Sequence, residues 1–297
     1  MSILKISRKA SEIAYKENFY EINTEAPLSS AFDIITNEQE IYRLTVLDST
    51  RCVKGVLSGL RILEILSGHR GEAIKKSKDG KLKSVLREPV TLFVENYLHK
   101  LSSRISLEGL ISYIVENTIG HVILVDKTDR LRGIVTEGCI LKKLRVQDLP
   151  VKISDIMTSN VCSATMEHSI FDSINIMSTH NIRRLPIVDD SNIKGIVTVN
   201  DLLKHVYSNL PSIDNQKDDV LDELMKEPLK KVNFLQARSL YLNDDFEKIL
   251  EDIKKSRFDG FPILDENDKL VGIISPRDLV TKLPKKIGIK NFVKAIE

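Results

Sequence analysis

Two short stretches of this chain set a hydroxyl three residues ahead of a carboxylate, at what reads as the start of a helix: Thr198-Val-Asn-Asp201 and Ser275-Pro-Arg-Asp278. Two chemistries suit that spacing. In a capping box, the hydroxyl accepts a hydrogen bond from the amide three residues on, and the acid reaches back to the cap's own amide. Pro276, at the first helical position, fits this reading. The same arrangement can hold a ligand. A helix N-terminus with a hydroxyl suits a phosphate oxygen, and a carboxylate beside it can accept two hydrogen bonds from a ribose cis-diol. On the motif alone, both readings stand.

The elements that position these residues are written four times. The clearest copy runs Leu185-Pro-Ile-Val-Asp189, then a polar turn, then Gly195-Ile-Val-Thr198. The others are Leu44 to Asp48 with Gly55 to Ser58, Val122 to Asp126 with Gly133 to Thr136, and Phe261 to Asp265 with Gly272 to Ser275. Each pattern predicts two short strands across a turn, preceded by a helix of 3.6-residue apolar period and followed by a second helix. With a further lead-in, each unit reads helix–strand–helix–strand–strand–helix. The four glycines are spaced 78, 62 and 77 residues apart, whereas Gly55 to Gly195 is 140 and Gly133 to Gly272 is 139. The larger duplication is therefore of a two-unit block, which predicts tandem pairs over roughly 1–147 and 148–297. Two short strands cannot bury both faces alone, so each unit needs a neighbour.

The rest of the chain narrows the options. Its 297 residues suffice for a well-buried core of more than one domain. The 44 basic and 42 acidic residues nearly balance, giving no global pull toward nucleic acid or an anionic membrane. Three scattered cysteines, Cys52, Cys139 and Cys162, form no C-x-x-C and suggest neither a disulfide framework nor a zinc site. No apolar run is long enough to span a bilayer, and the N-terminus is charged too early for a secretory signal. A cytoplasmic protein is the expectation. Six dispersed histidines show no metal-binding spacing, and neither a nucleophile elbow nor a P-loop is present. No catalytic constellation is legible, and a metal or catalytic cofactor is not expected. The lysine-rich stretch between Gly68 and Lys83 reads as a solvated linker, as does the polar connector from Leu210 to Val220.

Taken together, the strand pair, the Leu-Pro-Ile-Val-Asp run, the step to glycine, the Ser/Thr-x-x-Asp junction and the tandem spacing resemble the CBS (cystathionine β-synthase) domain family. The resemblance covers nearly the whole chain and is strongest in the third and fourth units. It implies an α/β (α+β) fold of four CBS-type units, small sheets flanked by helices, packed as two pseudo-twofold pairs. The implied motifs are 1–72 (degenerate), 83–147 (degenerate), 151–208 and 221–284, followed by a tail, 285–297. It also implies a regulatory protein that binds adenine nucleotides of the AMP, ADP or ATP type in the second pair. Binding would be passed to a regulated partner or across a homodimer.

Carried onto this sequence, Asp201 and Asp278 would take ribose hydroxyls, with Thr198 and Ser275 beside them. The base would lie among Val161, the Leu185-Pro186 edge and, in the other cleft, the Phe261-Pro262 edge. Arg183, Arg184 and Arg277 are candidate phosphate partners, since guanidinium groups pair with such oxygens; for each, an exposed surface charge is the alternative. The first pair departs from the pattern. Arg61 and Cys139 stand where the aspartates would be, and Thr45 and Ile123 where the prolines would be. Neither a guanidinium nor a thiol accepts ribose hydrogen bonds as a carboxylate does, so that pair is expected to serve packing, with Arg61 able to reach a phosphate instead. The rival readings are a nucleic-acid-associated protein and a purely structural CBS scaffold. Balanced charge and the absence of interleaved aromatics argue against the first.

Overall fold

The computed structural model describes residues 8–15, 21–37, 42–68, 82–95, 98–145, 151–190, 192–210, 219–247, 250–251 and 260–296. Most of the lysine-rich linker, the Leu149-Pro150 junction and most of the connector after Leu210 lie outside them. The described residues form a mixed α/β chain of four repeats.

In the first repeat, β1 (Glu21–Asn23) leads into α1 (Leu28–Asn37), the hairpin β2 (Arg43–Leu47) and β3 (Val53–Ser58), and α2 (Gly59–Leu66). After α3 (Leu82–Arg87), the second repeat follows with β4 (Lys100–Ser102), α4 (Leu107–Asn117), β5 (His121–Val125), β6 (Leu131–Thr136) and α5 (Glu137–Lys143). The short α6 (Ile153–Ile156) precedes the third repeat: α7 (Ile170–Thr179), β7 (Arg184–Asp189), β8 (Asn192–Thr198) and α8 (Val199–Asn209). Then come α9 (Asp219–Lys226) and the fourth repeat's β9 (Leu240–Tyr241), β10 (Phe261–Leu264), β11 (Leu270–Ile274) and α10 (Pro276–Thr281), ending in α11 (Leu283–Ile287) and α12 (Ile289–Ala295).

Three sheets share one topology: the middle strand runs parallel to the first and antiparallel to the third. The third repeat keeps the antiparallel hairpin β7–β8 and replaces the first strand by a parallel bridge from Ala164 to Ile187. Every hairpin carries a register shift at the same place, after Val46, Leu124, Ile187 and Ile263. The aspartate that ends each apolar run explains the turn in three copies. Asp48 accepts from the amides of Thr50 and Cys52, Asp126 from Thr128 and Arg130, and Asp265 from Asn267 and Lys269. An aspartate bonding its own downstream amides in this way is a turn-former. In the third copy Asp189 instead faces the amide of Met166.

The described residues fall into two compact units, and these cut the chain differently from the sequence duplication. One draws on segments within Asn18–Leu98 and Cys162–Ala237, the first and third repeats; the other on segments within Met1–Glu17, His99–Val161 and Arg238–Glu297, the second and fourth. Each has its own apolar core. In the first, α1 and α2 pack on α8, and α2 on α7, with Phe32 edge-on to Tyr207 at 5.2 Å. In the second, α10 packs on α4 and α5, and α12 on α4. The residues at 285–297, expected to be a tail, form α12 and most of α11, and Phe292 is wholly buried.

The segment ahead of each repeat lies along the last strand of a different repeat, and it belongs to the compact unit of that strand, not to the unit of the repeat it precedes. Tyr15 exchanges two backbone hydrogen bonds with Ile134, and Thr158 two with Ile273, all between 2.8 and 3.1 Å. Glu95 bridges Val56, and Leu235 bridges Ile196. The repeated glycine is where that segment crosses. A Cβ on Gly55 would meet Val94, on Gly133 Ala14, on Gly195 Phe234, and on Gly272 Met157, at 2.4 to 3.0 Å. Close backbone approach therefore accounts for the glycine of the motif.

Candidate functional site

All four hairpins end in a hydroxyl that caps the next helix. Ser58 accepts from the amide of Arg61, Thr136 from Cys139, Thr198 from Asp201 and Ser275 from Asp278. In the third and fourth repeats the box closes. The carboxylates of Asp201 and Asp278 each return through Oδ2 to the cap residue's amide at 2.8 Å and to its hydroxyl at 2.7 and 2.6 Å. The capping reading of the motif is thus met in full, and it uses one oxygen of each acid.

The second oxygen separates the two sites. Asp201 Oδ1 accepts no hydrogen bond among the described residues, and burial pushes the Asp201 carboxyl above its ordinary value against the pull of Thr198. A half-buried carboxylate with an unused acceptor is a place where a donor pair would bind. Asp278 Oδ1, by contrast, accepts from the Thr158 hydroxyl at 2.8 Å and pairs with the Lys282 ammonium at 2.8 Å.

In the compact unit that holds Asp201, a cleft of about 220 Å³ is lined by Ser58, Arg61, Arg43, Arg183, Glu64, Glu95 and Val199, among others. It is smaller than the roughly 300–1,000 Å³ of pockets that enclose whole organic ligands, and of a size for an anionic group. Val199 is the first residue of α8, two before Asp201, so the cleft adjoins the same helix start. Arg61 is fixed in it by the carbonyl of Phe93 and the Glu64 carboxylate, which also accepts from Ser178 at 2.5 Å. The Glu95 carboxylate accepts from the Ser58 hydroxyl at 2.8 Å. The guanidinium carbons of Arg183 and Arg184 lie 5.0 and 6.0 Å from the ring centre of Tyr42, within cation–π range.

The other expected site residues divide. Arg183 lines the cleft, while Arg184 is nearly buried in β7. Arg277 stands 3.7 Å from the nearly buried carboxylate of Glu137. Leu185 and Phe261 are fully buried, each in its own apolar core. Pro186 and Pro262, on the opposite strand faces, are also buried. Val161 ends the segment that runs along β11 and belongs to the unit of Asp278, not that of Asp201.

Sequence reasoning missed the residues that the crossing segments bring to each junction. At one register position these are Tyr15, Glu95, Thr158 and Leu235, each bridging the residue after the repeated glycine. Leu235 is 61% exposed, the largest exposure among the described large apolar side chains. The available signal was the glycine itself, which marks a close approach without naming the partner. Lys282, four residues after Asp278, was also missed.

A family model for the CBS domain matches residues 153–208 and 221–285. An uncharacterized 33.4 kDa protein in the ribosomal RNA operon of Thermofilum pendens is 26% identical over 269 residues, covering 89% of both chains. The CBS domain-containing protein YhcV of Bacillus subtilis is 30% identical over 106 residues, 35% of this chain and 75% of YhcV. The crystal structure of protein MJ1225 from Methanocaldococcus jannaschii superposes with a TM-score of 0.81 at 20% identity, covering 92% of this chain and 98% of that one. Four repeats of one hairpin-and-helix plan, a hydroxyl cap after each hairpin and these matches lead to one conclusion: the chain belongs to the CBS domain family.

Proposed function

We propose that this chain is a ligand-sensing regulatory protein that binds an adenine nucleotide at the third-repeat junction. The observation that carries the reading is the open Oδ1 of Asp201, the oxygen of a half-buried carboxylate at a helix start that accepts no hydrogen bond among the described residues. In this reading Asp201 accepts the ribose hydroxyls, Leu235 offers apolar surface to the base, and the phosphates reach the cleft of Arg43, Arg61 and Arg183. Three guanidinium groups against two carboxylates leave that cleft net cationic, which suits a phosphate. Protein MJ1225, which shares the fold, has itself been proposed as an archaeal homologue of g-AMPK.

The role is regulation rather than catalysis. Ligand binding biases the conformational balance of the chain, and a regulated partner or a second copy in a homodimer reads that bias in the cytoplasm. Among the described residues no helix is long and apolar enough to cross a membrane. Calorimetry with AMP, ADP, ATP and S-adenosylmethionine on wild type and Asp201→Ala tests the reading. Saturable binding of at least one of them, lost in the variant, is expected. Absence of binding to the wild type overturns it.

A further inference from the structure

The fourth-repeat junction has the same capping box as the third, yet its carboxylate is fully engaged. The Lys282 ammonium lies 2.8 Å from Asp278 Oδ1 and donates to the Thr158 hydroxyl at 2.7 Å and the Met157 carbonyl at 3.0 Å. Thr158 in turn donates to the same Oδ1. With Ser275 on Oδ2, the acid has a donor on each oxygen, and two on the one that a ribose diol would need. The ammonium itself has three acceptors, the full number its three N–H groups can serve.

Neither blocking group has a counterpart in the third repeat. Four residues after Asp201 stands His205, whose ring is turned to Glu227 at 2.9 Å. At the register of Thr158 stands Leu235, which carries no hydroxyl.

We propose that Lys282 is a latch that determines which sites are open. It closes the Asp278 site to ribose and leaves Asp201 as the open one of these two carboxylates. The inference rests on the ligand class proposed above, and the carboxylate it concerns is a different one. Lys282 acts by occupying Asp278, not by touching the bound ligand at Asp201.

The test is calorimetric stoichiometry with AMP on the full chain. Wild type is expected to bind one AMP, and Asp201→Ala none. Lys282→Met keeps the apolar stem without the ammonium and is expected to bind two, the second lost again in Lys282→Met/Asp278→Ala. The affinity at Asp278 should rise roughly 10-fold or more, the scale set by one hydrogen bond to a charged group. Melting curves report whether Lys282→Met folds, and the wild-type background decides the matter if it does not. One AMP site in wild type that survives Asp201→Ala and disappears in Asp278→Ala overturns the latch but keeps a CBS-type nucleotide site. Two sites in wild type, or one site in a folded Lys282→Met, also overturn it. No binding in any variant overturns the latch together with the proposed ligand.

Discussion

Asp201 Oδ2 accepts hydrogen bonds from both the amide and the hydroxyl of Thr198, at 2.8 and 2.7 Å, and Oδ1 of the same carboxylate accepts none among the described residues. One acid thus closes a helix cap and keeps an oxygen for something else. At the carboxylate the capping and ligand readings of the Thr-x-x-Asp motif are not rivals, because they use different oxygens, whereas the Thr198 hydroxyl is taken by the cap.

That division has a stability consequence. The Asp201 carboxyl is raised by burial, so its folded value lies above its unfolded one. Its contribution to stability is complete below the unfolded value and is lost as pH rises through the folded value. Asp201→Asn removes the titrating group, while the amide oxygen can still accept from Thr198. Thermal melts should place Asp201→Asn at or above wild type at pH 7, with the difference vanishing in acid. A variant less stable than wild type at pH 7 would count against burial as the dominant effect.

The repeated glycines should not be equally sensitive. A Cβ on Gly195 would lie 2.5 Å from the Phe234 ring and 2.9 Å from the Leu235 carbonyl oxygen, which is backbone. On Gly272 it would lie 2.6 Å from the Met157 sulfur, on a flexible side chain that can move aside. Gly195→Ala should cost about 1–3 kcal/mol in urea unfolding, and Gly272→Ala less. Equal losses would contradict the account of the crossing segments.

Glu227 behaves oppositely to Asp201. Lys231 at 2.7 Å, and then His205 at 2.9 Å, hold its carboxyl below the ordinary value. Its contribution is present above the unfolded value and is lost as pH falls through the folded one. Glu227→Gln should lose roughly 0.5–1 kcal/mol at pH 7, a deficit that closes in acid. A deficit independent of pH would mean that packing, not charge, is what the residue supplies.

Leu235 gives a test that separates binding from folding. Because it is 61% exposed, Leu235→Ser should change stability by no more than about 0.5 kcal/mol. If its side chain carries the base, AMP affinity should still fall several-fold. Unchanged affinity would remove Leu235 from the site.

Much of this was legible in the sequence. The hairpins, the turn aspartates, the caps and the unequal junctions follow from local chemistry: an alternating apolar run, an acid that bonds its own downstream amides, a hydroxyl three residues before a helix amide. What was not legible is long-range. The crossing segments meet the hairpins through isolated bridges such as Thr158 to Ile273, too short for any periodicity to register. The pairing of Lys282 with Asp278 has ordinary helical spacing, and only the added Thr158 and Met157 acceptors make it a closed network. The full burial of Leu185 and Phe261 was likewise not legible, because both faces of β7 and β10 are covered at these positions.

The central claim is that Asp201 recognises the ribose diol, and the most direct measurement compares AMP with its 2′,3′-dideoxy analogue on wild type and Asp201→Ala. Wild type should bind AMP at least about 10-fold more tightly than the analogue, the scale of hydrogen bonds to a charged acceptor, and the variant should bind the two alike. Equal affinities on wild type, or a preference for AMP that persists in Asp201→Ala, would contradict the claim.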